Sequence, residues 1–183
     1  HPHVFGNAIA SDSKAVKKQW EEIKSSERPF KATTNPLSDF LRRKIRSRSA
    51  LDGALQISHK AAAAGLEWEN IEEVWATVHE ELEELKEALF NKDIINAQQE
   101  LGDLLFTLVN IGRWYELSPE EGLASTNQRF LERFSHIETS LDGKLSGRTL
   151  AELKQLWKEA KTKINKAKNL KQVPNPDELQ RFL

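Results

Sequence analysis

Cysteine is absent from the 183 residues, which excludes disulfides, thiolate metal sites and cysteine nucleophiles together. Methionine is absent too, the initiator included, as expected of a fragment or a processed product. Only 8 glycines and 6 prolines punctuate the chain, and alternating β-branched runs do not occur, so nothing marks strands or hairpins. No apolar run approaches the roughly 20 residues of a membrane span, and no secretory signal is visible. A soluble, cytoplasmic protein with no membrane partner is the expectation. Neither sign of charge dominates: 27 basic residues face 28 acidic ones, so the totals call for neither nucleic acid nor a charged surface as a partner.

What is present is helical periodicity. Apolar residues recur at three and four, and the length suffices for one sizeable core. After the opening His1-Pro2-His3-Val4-Phe5-Gly6, the pattern predicts a short helix near 13–26, with Val16, Trp20 and Ile23 on one side. Residues 27–49 hold Pro29, Pro36 and the basic run from Arg42 to Arg48, and read as a solvated linker. A first core helix is expected over 50–64, stopping at Gly65. Asn70-Ile71-Glu72-Glu73 is a capping signal for a second, over 71–90. Asn91-Lys92-Asp93 turns the chain into a third, over 94–116. Ser118-Pro119-Glu120-Glu121 combines an N-cap, an N1 proline and a capping-box glutamate, opening a fourth over 119–139. Thr149-Leu150-Ala151-Glu152 starts a last helix that frays into the lysine-rich stretch 158–171, and the tail 171–183 carries no expected fixed structure. The fold class is therefore all-α, a bundle of four to five helices occupying 50–170.

Chemistry concentrates on the second and third helices. Trp75, Val78, Leu82, Leu85 and Leu89 form a 3-4-3-4 stripe, and at about 100° per residue Glu80, Glu83 and Glu87 fall away from it. Glu81 lies near the edge of that stripe, with Glu84 on the same side one turn on. A carboxylate beside a packed seam costs energy unless something pairs with it. On the third helix Leu101, Leu104, Leu105, Leu108 and Ile111 form a broad apolar face, bordered by Glu100, Asp103, Thr107 and Asn110. Each helix thus carries an acidic pair at i, i+3, and antiparallel packing can bring the four carboxylates together. Hard divalent cations relieve the repulsion in such an oxygen-rich cluster, and Mg²⁺ suits it. Spacing alone is weak evidence, because helices are full of glutamates. No His-Ser or His-Asp arrangement competes, and there is no glycine-rich phosphate loop.

Taken in order, EExxE (Glu80, Glu81, Glu84), a short helical turn, ExxD (Glu100, Asp103) within ELGDLLF, and TNQRFLERF over 126–134 resemble the MazG nucleotide pyrophosphohydrolase family across residues 50–165. Several ordered motifs at matching distances make the resemblance specific. HPHVFG resembles the end of the first repeat in two-repeat members, which leads us to expect the second repeat preceded by the inter-repeat linker. The resemblance implies Mg²⁺ ligands at Glu81, Glu84, Glu100 and Asp103, with Mn²⁺ as the alternative ion and Glu81 or Glu84 also taking a proton from water. Glu80 matches the first acid of the motif; facing outward, it is at best a ligand-orienting group. Arg129 and Arg133 match basic positions that hold a triphosphate, where a lysine is commoner at the first; surface salt bridges with Glu132 or Glu138 are the alternative. Trp157 and Lys161 match a stacking aromatic and a phosphate contact, against plain core packing for Trp157. Asn110 is a candidate polar contact, against a helix–helix hydrogen bond.

The implied activity is Mg²⁺-dependent hydrolysis of a nucleoside triphosphate to the monophosphate and pyrophosphate, by a homodimer. A dUTPase-like or phosphoribosyl-ATP pyrophosphohydrolase shares the same carboxylate logic. A non-catalytic helical interaction module is the rival from another class, and the retained acidic motifs argue against it.

Overall fold

A computed structural model of the chain describes residues 34–171. The expected helix near 13–26, the HPHVFG segment and the tail beyond 171 lie outside the described residues. Six helices and no strand occur among those described: α1 (Pro36–Ile45), α2 (Ala50–Ala63), α3 (Ile71–Phe90), α4 (Ile94–Trp114), α5 (Pro119–Ser140) and α6 (Leu150–Lys171). The chain divides into two compact units, His1–Arg43 and Lys44–Leu183, and everything that concerns the site lies in the second.

Boundaries follow local capping chemistry. The side chains of Ser49, Asn70, Asp93 and Ser118 each accept a hydrogen bond from the backbone N–H three residues on, at 3.0–3.2 Å, satisfying donors that the first helical turn leaves orphaned. Thr149 and Glu152 form a reciprocal capping box: Glu152 N–H donates to Thr149 Oγ1 at 3.2 Å and Thr149 N–H to Glu152 Oε2 at 3.3 Å. Gly65, at φ 97°, ends α2 in the left-handed conformation that glycine alone adopts at no cost.

Two expectations change. Residues 36–45 form a helix where a linker is expected, because Pro36 occupies the first helical position and Leu37, Phe40, Leu41 and Ile45 recur at helical spacing. Asp39 in its first turn accepts from Arg42 at 3.1 Å. At the other end α6 continues unbroken to Lys171 instead of fraying. Lysine and alanine are good helix formers, and the fully buried Ala160 fixes this helix against its neighbour.

The second unit is built as two hairpins, α3 with α4 and α5 with α6, with α2 packed against both α4 and α5. Its core is small: Val74, Val78 and Ile111, with Trp68, Ile71, Leu104 and Trp114 packed around them. A polar network joins α2 to α4. Arg113 Nε donates to Ser58 Oγ at 2.6 Å, and Ser58 Oγ donates to Asn110 Oδ1 at 2.7 Å. Asn110 Nδ2 closes on the Phe106 carbonyl at 3.0 Å. The guanidinium then grips Glu67 with both Nη atoms, at 2.7 and 2.5 Å. That bidentate contact holds the Glu67 carboxyl below its ordinary value. Ser58 and Asn110 are buried, and each has its partners, which is the condition for a buried polar network to stabilise rather than cost.

Gly112 near the end of α4 shows how tightly the next element is held. A Cβ there would stand 2.9 Å from Cγ of Pro119, a ring that cannot swing aside. At Gly102, by contrast, a Cβ would meet nothing within 4 Å. Gly112→Ala should therefore lower the melting temperature by a few degrees, overpacking costing about 1–3 kcal/mol and outweighing the roughly 1 kcal/mol that alanine gains in a helix. Gly102→Ala should raise it. Thermal melts of the two variants in parallel check the sign of each.

Candidate active site

The spacing of large apolar residues sets the α3 seam on Trp75, Val78, Leu82, Leu85 and Leu89. The structure turns the helix: Val74, Val78 and Ala88 are buried, Leu82 and Leu85 are half-buried, and Trp75 and Leu89 are exposed. Small residues are buried on both helices of this pair, Ala88 on α3 and Ala97 on α4, where side chains without bulk leave room for a close packing of backbones. The consequence falls on Glu81. On the stripe Val74, Val78, Leu85, Ala88 it occupies the centre of the seam, not its edge. Glu100 holds the corresponding place on α4, between buried Ala97 and half-buried Leu104.

Glu81, Glu84 and Glu100 each bring a carboxylate oxygen into one group whose members lie within 4.8 Å of one another. Two of their oxygens, Oε2 of Glu81 and Oε2 of Glu100, are buried with no hydrogen-bond partner among the described residues. Such an atom is expensive to leave unpaired. Burial, the contact with Glu100 and the charges of Glu84, Asp103 and Glu100 push the Glu81 carboxyl up to about 7. Glu84 is raised as well, chiefly by its contact with Glu100 and that group's charge. Every donor in the group is a carboxylate oxygen and two of them lack any proton donor, so the residues present fit a hard divalent cation such as Mg²⁺ or Mn²⁺.

Asp103 lies outside the 4.8 Å group, although its charge acts on both Glu81 and Glu84. Three residues along a helix is some 60° away from the direction of Glu100, which sets Asp103 at the exposed border of the seam. Glu80 is exposed, as its helical angle requires.

The α5–α6 hairpin carries the other candidates. Arg133 stands over Trp157, its Cζ 5.7 Å from the ring centroid, and Trp157 packs at 47° on Phe130 with centroids 4.9 Å apart. Below them Phe134, Ile137, Leu145, Leu150 and Leu153 line an open apolar groove of roughly 430 Å³. Trp157 is half-buried, so it serves the packing of the hairpin while keeping part of its face available. Lys161 is exposed one turn on. Arg129 is engaged within its own helix, through Ser125 and Thr126, at 2.6 and 3.1 Å. Asn110 is spent on the α2–α4 network, the helix–helix bond of its alternative reading. Sequence reasoning passed over Phe130, although its spacing of four from Phe134 within TNQRFLERF was a usable signal: the two rings stack at 6.0 Å.

The raised Glu81 carboxyl has a signed consequence. Folded protein holds a proton that unfolded protein, with its ordinary value of 4.5, releases at lower pH. The contribution to stability is present in full below pH 4.5 and is lost as pH rises through about 7. In EDTA, the melting temperature relative to Glu81→Gln should fall between pH 5 and pH 8, and saturating Mg²⁺ should remove that fall. Melts of both proteins across this range, with and without the ion, are the check.

Comparison with known proteins places these elements. Residues 69–137, from the approach to α3 to near the end of α5, match the MazG nucleotide pyrophosphohydrolase domain. The chain is 36% identical over 169 residues to the nucleoside triphosphate pyrophosphohydrolase/pyrophosphatase MazG of Thermotoga maritima, covering 88% of this chain and 60% of that protein. It is 32% identical over 168 residues to the nucleoside triphosphate pyrophosphohydrolase of Escherichia coli K12, covering 88% and 62%. It thus spans about 60% of the length of these relatives. The acidic group lies wholly inside residues 69–137, the stretch of this chain that matches the MazG nucleotide pyrophosphohydrolase domain.

Proposed function

We infer that this chain hydrolyses nucleoside triphosphates to the monophosphate and pyrophosphate, with Mg²⁺ held by Glu81, Glu84, Glu100 and Asp103. The observation that carries this reading is the meeting of three carboxylates across the α3–α4 seam, two of them with buried oxygens that nothing among the described residues satisfies. The names of the similar proteins point the same way. A bound divalent ion would supply neutralisation of the phosphate oxygens and activation of water.

The protein's own groups do the rest. A triphosphate carries about four negative charges at neutral pH, so no anionic nucleophile approaches it unaided, and Arg129 and Arg133 on α5 with Lys161 on α6 offer the compensating charge. Water attacks the α-phosphorus, the bond from that phosphorus to the β-phosphate bridging oxygen breaks, and pyrophosphate leaves with the electron pair. The proton lost by water passes to a carboxylate oxygen of Glu81 or Glu84, the two acids that α3 brings to the cluster. Trp157, half-exposed beneath Arg133, offers its face to the base.

The purified chain with Mg²⁺ should release pyrophosphate and a monophosphate from several triphosphates, followed by anion-exchange chromatography of the products across a ribo- and deoxyribonucleotide panel. Glu100→Gln and Asp103→Asn should abolish turnover with helical circular dichroism intact. Orthophosphate with a diphosphate product would refute the bond assigned, and near-normal rates in either variant would refute the ligand set.

The assembly proposed is a homodimer. Trp75 and Leu89 on α3, with Leu101, Leu105 and Leu108 on α4, leave an apolar face uncovered along the hairpin. An apolar face of this continuity marks an interface. Light scattering should give twice the monomer mass at micromolar concentration, and Leu105→Asp should halve it. A monomeric wild type removes the dimer.

A further inference from the structure

Arg129 differs from the other basic candidates in being held by its own helix. Long helical side chains lean toward the N-terminus, over the residues three and four positions earlier, and here both of those residues are hydroxyl-bearing. Arg129 Nη1 donates to Ser125 Oγ at 2.6 Å and Nη2 donates to Thr126 Oγ1 at 3.1 Å. Thr126 spends its own proton on the Gly122 carbonyl at 3.1 Å, which leaves its oxygen as an acceptor only and turns it on the guanidinium. Ser125 is placed differently. Its oxygen receives the shorter of the two contacts, while its proton has no acceptor among the described residues.

We propose that Ser125, Thr126 and Arg129 act as one anion-binding unit, Thr126 positioning the guanidinium and Ser125 adding a hydroxyl donor to a phosphate oxygen. The proposal rests on the reading of Arg129 as a triphosphate contact. The physical argument is conformational and electrostatic. A free arginine on an exposed helix spreads over many rotamers, and fixing it on a ligand costs side-chain entropy. Two hydroxyls one turn away fix it in advance, so less is lost on binding. A guanidinium N–H donating to Ser125 Oγ also withdraws charge from that oxygen and makes the hydroxyl a better donor, as mutual polarisation in a hydrogen-bonded chain requires. Of the five N–H groups of Arg129, two are engaged and three remain for an anion. A lysine at this position could not be held by the same two contacts and still present a planar fork.

The test is steady-state kinetics with a nucleoside triphosphate and Mg²⁺, joined to calorimetric binding of inorganic tripolyphosphate, which has no base or sugar. Ser125→Ala should raise KM and the tripolyphosphate Kd about three- to tenfold, with kcat within twofold and the melting temperature unchanged or raised, because alanine favours the helix. Thr126→Val, which keeps the branched shape without the acceptor, should shift both constants in the same direction, and Thr126→Ser should restore them. Arg129→Ala is the reference. If it raises KM while Ser125→Ala and Thr126→Val match the wild type in KM and Kd, the unit is refuted and the wider reading of the site stands. If Arg129→Ala is itself silent in both assays, the triphosphate contact fails and the proposal fails with it.

Discussion

Repulsion among carboxylates is the interaction around which this molecule is arranged. Glu81 and Glu100 occupy seam positions that leucine or alanine would fill more cheaply, and Glu84 adds a third negative group at their exposed side. Among the described residues nothing answers them: no lysine or arginine is paired with any of the three, and two oxygens have no donor. The rest of the second unit can be understood as what holds α3 and α4 together against that force. Close packing at Val74, Val78, Ala88 and Ala97 supplies part of the answer. The Glu67–Arg113–Ser58–Asn110 network, further along α4, steadies that helix from another side by tying it to α2 and to the segment that leads into α3.

The two hairpins divide the chemistry. One gathers negative charge in a partly dry seam, where it can bind only cations. The other displays arginine and tryptophan on an open surface, where they can meet an anion or a base. A nucleotide is a polyanion with an aromatic group, and its metal complex presents both signs of charge at once. Separation of the two functions onto different helix pairs keeps the cations of α5 and α6 from pairing with the acids of α3 and α4, which would quench both.

Features set by neighbouring residues were legible in the sequence. Asn70, Ser118 and Thr149 cap the helices that their position in the chain foretells, because a cap needs only the three residues that follow. The acidic motifs were legible for the same reason. What sequence reasoning misplaced was rotation. Trp75 and Leu89 are large and pull the apparent seam toward themselves, yet a helix pair in close approach buries valine and alanine, and that choice moves Glu81 from border to centre. The grip of Arg113 on Glu67 joins residues 46 apart, and no local pattern announces it. The helix at 36–45 was hidden by its proline and its basic residues, which read as a linker until Pro36 is seen to stand at the first helical position.

The turn between α3 and α4 is only Asn91-Lys92-Asp93, with Lys92 at φ 56° in the left-handed region. So short a connection makes the pairing of these helices a local event in the chain, and contacts of low sequence separation form early in folding. The hairpin that gathers the carboxylates thus needs no distant segment of the chain, whereas the hydrogen bonds of α2 to α4 join residues 52 and 55 apart. Their mutual repulsion is therefore a cost borne by the most local helix pairing of the unit. An ion that neutralised the cluster would therefore act on the most local pairing in the unit, strengthening the hairpin itself and not only the finished fold.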